Sequence, residues 1–165
     1  VPAMAAVGAI ARIAGPKGSR DIPVEEIPTG PGKTSLAKGE FVTSIFFPKK
    51  TDNTGDDYLR FIPRTEMDIA VVGSGVCLTL DNNGTCTAAK IVLGAVGPTI
   101  IICEEAAKAL IGTKVDDAAI EAAGAAATAA ATPISDKRGT VEYRKKVAGV
   151  LTRRATAKAL ERAKG

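Results

Sequence analysis

The sequence predicts an α+β chain, strands first and helices last, with an antiparallel sheet of about three strands against which the helices pack. Three observations carry that expectation. Two long extended stretches, 67–80 and 85–97, are separated by Asp81-Asn82-Asn83-Gly84, and Asn and Gly accept the positive φ angles that a hairpin turn demands. Helical signals dominate beyond residue 103. The two kinds of element come in blocks instead of alternating, which argues against βαβ units.

Taken in order, residues 1–50 read as β-rich. GAIARIA (8–14) alternates in polarity, Gly15-Pro16-Lys17-Gly18 is turn chemistry, and SRDIPVEEI resumes in extended form with prolines suited to an edge or loop. EFVTSIFFP (40–48) alternates again and stops at Pro48. The charged, glycine-containing run that follows supplies the expected linker at 51–57, which divides the chain into 1–50 and 58–165. Beyond the hairpin, ICEEAAKALIG stops at Gly112 as a helix C-cap would. VDDAAIEAAGAAATAAAT opens on acidic residues that favour a helix N-terminus, and its alanines permit close packing. The last helix, from about Thr140, sets Val147, Val150, Leu151 and Leu160 against basic faces, an amphipathic pattern.

Composition narrows the function. The chain has 165 residues, 45% of them hydrophobic, enough for one ordinary domain or two small packed units. No apolar run approaches the ~18 uncharged residues of a membrane span, and the most apolar stretch is broken by Gly94, Gly97 and Pro98. The opening VPAMAAVGAI lacks the basic start of a signal peptide and does not begin on methionine, so a missing upstream segment is expected. Cys77, Cys86 and Cys103 show no metal or disulfide spacing and suit buried thiols in a reducing cytoplasm. Histidine is absent, which removes the usual general base, the usual metal ligand and every histidine-activated nucleophile. Chemistry is therefore expected from a cofactor or a partner. From Thr140 onward eight basic residues face only Glu142 and Glu161. Without interleaved aromatics this helix reads as a solvated or subunit-facing surface, not a nucleic-acid site.

Three motifs invite a stronger reading and fail it. TGPGKTS (29–35) ends like a phosphate loop, but Ile27 stands where the first glycine belongs and a strand follows instead of a helix. AVVGSGVCL (70–78) begins like a dinucleotide fingerprint, yet its third glycine position is Leu78 and hairpin sequence follows, so close packing or a bulge is the better account. Asp56-Asp57, Glu104-Glu105 and Asp116-Asp117 are sequence neighbours, which on a helix do not share a face, and they read as solvated surface.

Four segments, in order, resemble the FAD-carrying medium subunit of the molybdenum hydroxylases, the family of carbon monoxide and xanthine dehydrogenases. Residues 1–48 are similar to the end of its FAD-binding domain, with Gly39 to Pro48 matching the strand "GELLTxIxxP". YLRFIPRTEMDIAVVG (58–73) resembles "YxKxxxRxxxDxA", the most specific of the four matches. KIVLGAVGPT (90–99) resembles "ARIxLGxVxPT", and ATPISDKRGTVEYRKKVAGVLTRRA (131–155) resembles "PxxDxRGSxEYRxxxAxxLxRRA". The resemblance implies the β-rich end of an FAD-binding domain followed by the flavoprotein's C-terminal α+β domain.

It also implies a site. The residue matching Val42 packs near the adenine or flavin end of FAD, the basic residue matching Arg60 approaches the cofactor, and Asp68 precedes Ile69, which lies beside the isoalloxazine ring. Arginine at 60 is permanently charged, where the family often has lysine. Isoleucine at 69 replaces an aromatic found in some relatives, so ring stacking becomes aliphatic packing. Tyr143 and Arg144 read as structural, with Asp136 and Arg138 as pairing partners. The family's glycine-rich loops for the FAD pyrophosphate match nothing in this sequence. The expected partners are thus an upstream FAD-binding half, a large molybdopterin subunit and a small [2Fe–2S] subunit, whose cluster needs four ligands that three scattered cysteines cannot supply. The expected activity is electron transfer within that oxidoreductase, with no catalytic residue in the chain itself. The competing reading is a non-catalytic docking or assembly module without its own flavin.

Overall fold

Alternating apolar residues and tight turns build the strands, and small residues decide how closely the helices approach them. The computed structural model describes residues 1–64 and 67–165; the middle of the YLRFIPRTEMDIAVVG segment, residues 65–66, lies outside the described residues. Helix α1 (Pro2–Ala6) starts with proline in its first turn, where a missing N–H costs nothing. Strands β1 (Ile10–Gly15) and β2 (Gly18–Pro23) form a hairpin across Pro16-Lys17, and β5 (Phe41–Phe46) pairs with the other edge of β1 to give a sheet ordered β2-β1-β5. Between them, a single 3-10 turn (Val24–Glu26) replaces the extended backbone expected there, and β3 (Pro28–Gly30) and β4 (Lys33–Thr34) make a small hairpin. The TGPGKTS segment is that hairpin's turn, with Gly32 at φ +68, and no helix follows it.

The second sheet is an antiparallel meander of β6 (Thr54–Phe61), β7 (Val72–Leu80), β8 (Cys86–Gly94) and β9 (Ile101–Ile102). Its fourth strand is the two-residue β9. β6 begins inside the polar 51–57 stretch, because Gly55 packs directly on the final helix and Asp56 is paired to Lys50. The β7–β8 turn is held by the Asp81 carboxylate, which accepts from the amides of Asn83 and Thr85. Helices α2 (Glu104–Leu110), α3 (Asp117–Ala130) and α4 (Val141–Lys164) cover one face. Asp116 caps α3 by accepting from Ala119 N at 2.9 Å, and Thr140 caps α4.

Period two along β7 splits the core. Val72, Val76, Leu78 and Leu80 join the larger core beneath the helices, whereas Gly73 and Gly75 turn to the opposite face, where α1 lies. A Cβ on Gly75 would sit 3.0 Å from Pro2 O, and one on Gly94 of β8 would sit 2.4 Å from Pro2 Cγ. Gly75 of β7 and Gly94 of β8 therefore seat α1, while Gly73 leaves room for the Tyr58 ring of β6, the close packing expected of this segment. Between Gly73 and Gly75, Ser74 faces the helices and bonds Thr152 of α4 at 2.9 Å, a buried polar pair. A smaller core of Ala5, Ala6, Ala9, Ala11, Val24 and Val92 joins α1 and β1 to this second face. The fold is α+β, with helices against antiparallel sheets of three and four strands.

Candidate functional site

The connection between β6 and β7 carries the segment singled out by sequence. Pro63 disfavours helical backbone at the residue before it, and Val71 N bonds Phe61 O at 2.9 Å, so the end of β6 and the start of β7 stay paired while the described residues between them lie outside the sheet. Among these, Asp68 points inward, its side chain only 2% exposed. Its Oδ1 accepts from Ile69 N at 2.8 Å and Arg138 Nε at 3.1 Å, while Oδ2 accepts from Arg64 N at 3.3 Å. A carboxylate this buried is tolerable only when paired and hydrogen-bonded. Burial pulls its pKa upward, but the Ile69 amide and the two arginines together outweigh that and hold it below the usual aspartate value.

With Asp68 engaged within the chain, Ile69 is turned outward and is 68% exposed. It stands on the rim of a cleft of about 370 Å³, within the range of ligand pockets. Pro31 at the β3–β4 turn, Ala70, Ala95, Pro98, Pro133 and Ile134 give it largely apolar walls, and Asp136 and Arg144 supply charge. Ala95 on this wall has a positive φ, +63, as does Met67, two residues before Ile69 in sequence, at +48. Such backbone is uncommon for residues with a side chain and concentrates at ligand sites.

The other candidates lie elsewhere. Val42 is on β5 opposite buried Ile13, next to Thr43, the extra residue of a β-bulge whose hydroxyl bonds Arg12 O at 3.1 Å. Bulges of this kind re-aim neighbouring side chains. Arg60 is exposed on β6, opposite Gly73 in register, and its charge acts on the Tyr58 phenol. Neither lines the Ile69 cleft. The acidic neighbours form no acid–base pair: Asp56 and Asp57 engage Lys50 and Arg162, and Asp116 is a helix cap. Among the described residues no cluster could hold a metal ion. Cys86 and Cys103 are buried, and desolvation raises both thiol pKa values.

Sequence reasoning read Arg144 as a structural residue with Asp136 as a partner, and Arg144 does donate to Asp136 Oδ1 at 2.7 Å. What it missed is the burial of Arg144, 4% exposed, and its bond to Val71 O at 2.8 Å. A signal existed: Arg144 falls in register with the buried stripe Ala148, Leu151, Ala155 and Ala159 of α4.

For a flavin, the residues present fit one part and not another. The apolar cleft with few convergent polar groups suits the side of an aromatic ring. Neither glycine-containing motif leads into a helix N-terminus, so neither offers the amide cradle that a pyrophosphate needs. The protein family described as the CO dehydrogenase flavoprotein C-terminal domain matches residues 57–159. The chain belongs to this family. The CO dehydrogenase medium chain of Afipia carboxidovorans is 38% identical over 161 residues, 98% of this chain and 55% of that protein. The 6-hydroxypseudooxynicotine dehydrogenase complex subunit alpha of Paenarthrobacter nicotinovorans is 32% identical over 90% of this chain and 50% of its own length. Among solved structures, reconstituted CO dehydrogenase from Oligotropha carboxidovorans superposes with a TM-score of 0.90 at 36% identity, covering 98% of this chain and 56% of that one. The chain thus spans about half the length of the curated relatives it matches, and in this CO dehydrogenase flavoprotein domain the match begins inside β6. No helix among the described residues is long and apolar enough to cross a membrane.

Proposed function

We propose that this chain forms the flavin-ring side of an FAD subunit in a molybdenum hydroxylase and docks the rest of that complex. The observation that carries the reading is Ile69, held outward on an apolar cleft by an Asp68 carboxylate wholly engaged inside the chain. When bound, FAD takes electrons from the iron–sulfur clusters and passes them to an external acceptor. Ile69 gives the ring an aliphatic contact, and Asp68 acts indirectly by orienting Ile69. Val42, beside its bulge, packs toward the adenine or flavin end, and Arg60 contributes a permanent positive charge to the cofactor's anionic groups.

An upstream FAD-binding half supplies the phosphate-anchoring loops. Its seat is β5, where Phe41, Val42, Ile45 and Phe46 are all exposed, and Phe47 extends the row. The large molybdopterin and small [2Fe–2S] subunits complete the path. The same bare apolar strand favours a second reading, a docking module with no flavin beside it.

The deciding test measures FAD released per copy of this chain from the intact complex, followed by flavin reoxidation kinetics in Arg60→Ala. Stoichiometric FAD, with slower reoxidation or weaker FAD retention in the variant and normal assembly, supports the cofactor role. An intact complex without flavin leaves the docking module standing, and stoichiometric FAD with unaltered kinetics removes Arg60 from the site.

A further inference from the structure

Ile69 is exposed, so side-chain packing does not set its direction. Its backbone does, and two residues from one distant stretch of chain hold that backbone from either end. Arg138 Nε bonds Asp68 Oδ1 at 3.1 Å, and that oxygen receives the Ile69 amide at 2.8 Å. Two residues beyond Ile69, Arg144 Nη1 bonds Val71 O at 2.8 Å from a position 4% exposed. The two arginines are themselves coupled through Asp136. Its Oδ1 accepts from Arg144 Nη2 at 2.7 Å and from the Arg138 amide at 2.8 Å, and its backbone exchanges hydrogen bonds with Gly139. A planar guanidinium fork suits this task, since it serves two acceptors at fixed angles where an ammonium would serve one point.

We propose that Arg138, Asp136 and Arg144 are positioning residues: together they clamp residues 68–71 at both ends and so present Ile69 to whatever occupies the cleft. The proposal rests on the flavin reading only for the identity of that occupant. A clamp of this form accounts for an exposed isoleucine and a buried arginine within one network.

The experiment uses the assembled complex with its FAD, comparing Arg138→Leu, Arg138→Lys and Ile69→Tyr. Arg138 is the residue to change because its side chain is 35% exposed, so the fold tolerates its loss better than that of Arg144. Amide hydrogen exchange at residues 68–71 should quicken by about tenfold in Arg138→Leu, as expected for a lost charged hydrogen bond. Arg138→Lys should recover most of the protection. The flavin absorption spectrum and midpoint potential should shift in Arg138→Leu and in Ile69→Tyr. Exchange at the wild-type rate in Arg138→Leu overturns the clamp, whatever the flavin does. Quickened exchange with a flavin signal silent to Arg138→Leu, while Ile69→Tyr shifts it, overturns the presentation of Ile69 and leaves the flavin reading intact. Quickened exchange with a flavin silent to both variants keeps the clamp and sinks the flavin reading instead.

Discussion

At the scale of single residues, the chain shows how a polar side chain becomes affordable in a core. Ser74 and Thr152 are both fully buried, and each satisfies the other across the interface between β7 and α4. Asp68 is buried because an amide and two arginines meet it. Glu40 illustrates the consequence for pH. The Arg20 guanidinium grips its carboxylate at 2.9 Å and the Ala37 amide adds a bond at 2.7 Å, which lowers its pKa to about 2 from 4.5. A depressed folded-state pKa means that the stability this group lends is fully present above about pH 4.5 and disappears as pH falls toward about 2. Replacing Glu40 by Gln removes the titrating group. Urea midpoints of the variant should therefore fall less steeply between those two pH values than those of the parent, and parallel curves would show that the pair contributes nothing there.

At the scale of elements, α4 does more than its amphipathic pattern implied. Its buried stripe consists mainly of Ala, Gly and Thr, so it approaches β6 and α3 closely enough for backbones to touch. Where α4 crosses β6, a Cβ on Gly55 would lie 2.0 Å from Ala159 O. Because the obstacle is backbone, Gly55→Ala should cost about 3 kcal/mol, the upper end of ordinary overpacking. Chemical denaturation measures it, and a loss below about 1 kcal/mol would mean that the helix shifts freely. The basic residues of α4 also divide into two groups. Arg153 pairs with Glu121, and Arg162 reaches Asp56 O and Asp57, so these two fasten the helix to its own neighbours. Lys146 and Arg154 are exposed and remain available to a partner surface.

At the scale of the whole molecule, the two sheets differ in how they are covered. The four-stranded sheet has helices on one face and α1 on the other. The three-stranded sheet leaves β5 exposed along its length, and Phe46 is 64% exposed there. Phe46→Ser combined with Phe47→Ser should reduce the FAD recovered with the assembled complex several-fold while the thermal midpoint stays close to the parent's. Equal recovery would mean that β5 is not the seat. Sequence by itself determined the long strands that precede α2, α3 and α4, the turn at 81–84 and the stop at Gly112, though not α1 or the short β3, β4 and β9, because periodicity, turn chemistry and capping act between residues a few positions apart. Resemblance named Val42, Arg60, Asp68 and Ile69, yet only the tertiary structure separated Val42 and Arg60 from the Ile69 cleft. It alone also gave the Asp68 carboxylate a partner 70 residues away and buried Arg144 against Val71, 73 residues distant. No local pattern encodes such pairs, since they exist only once packing has brought β7 against α4 and excluded the water that would otherwise satisfy them.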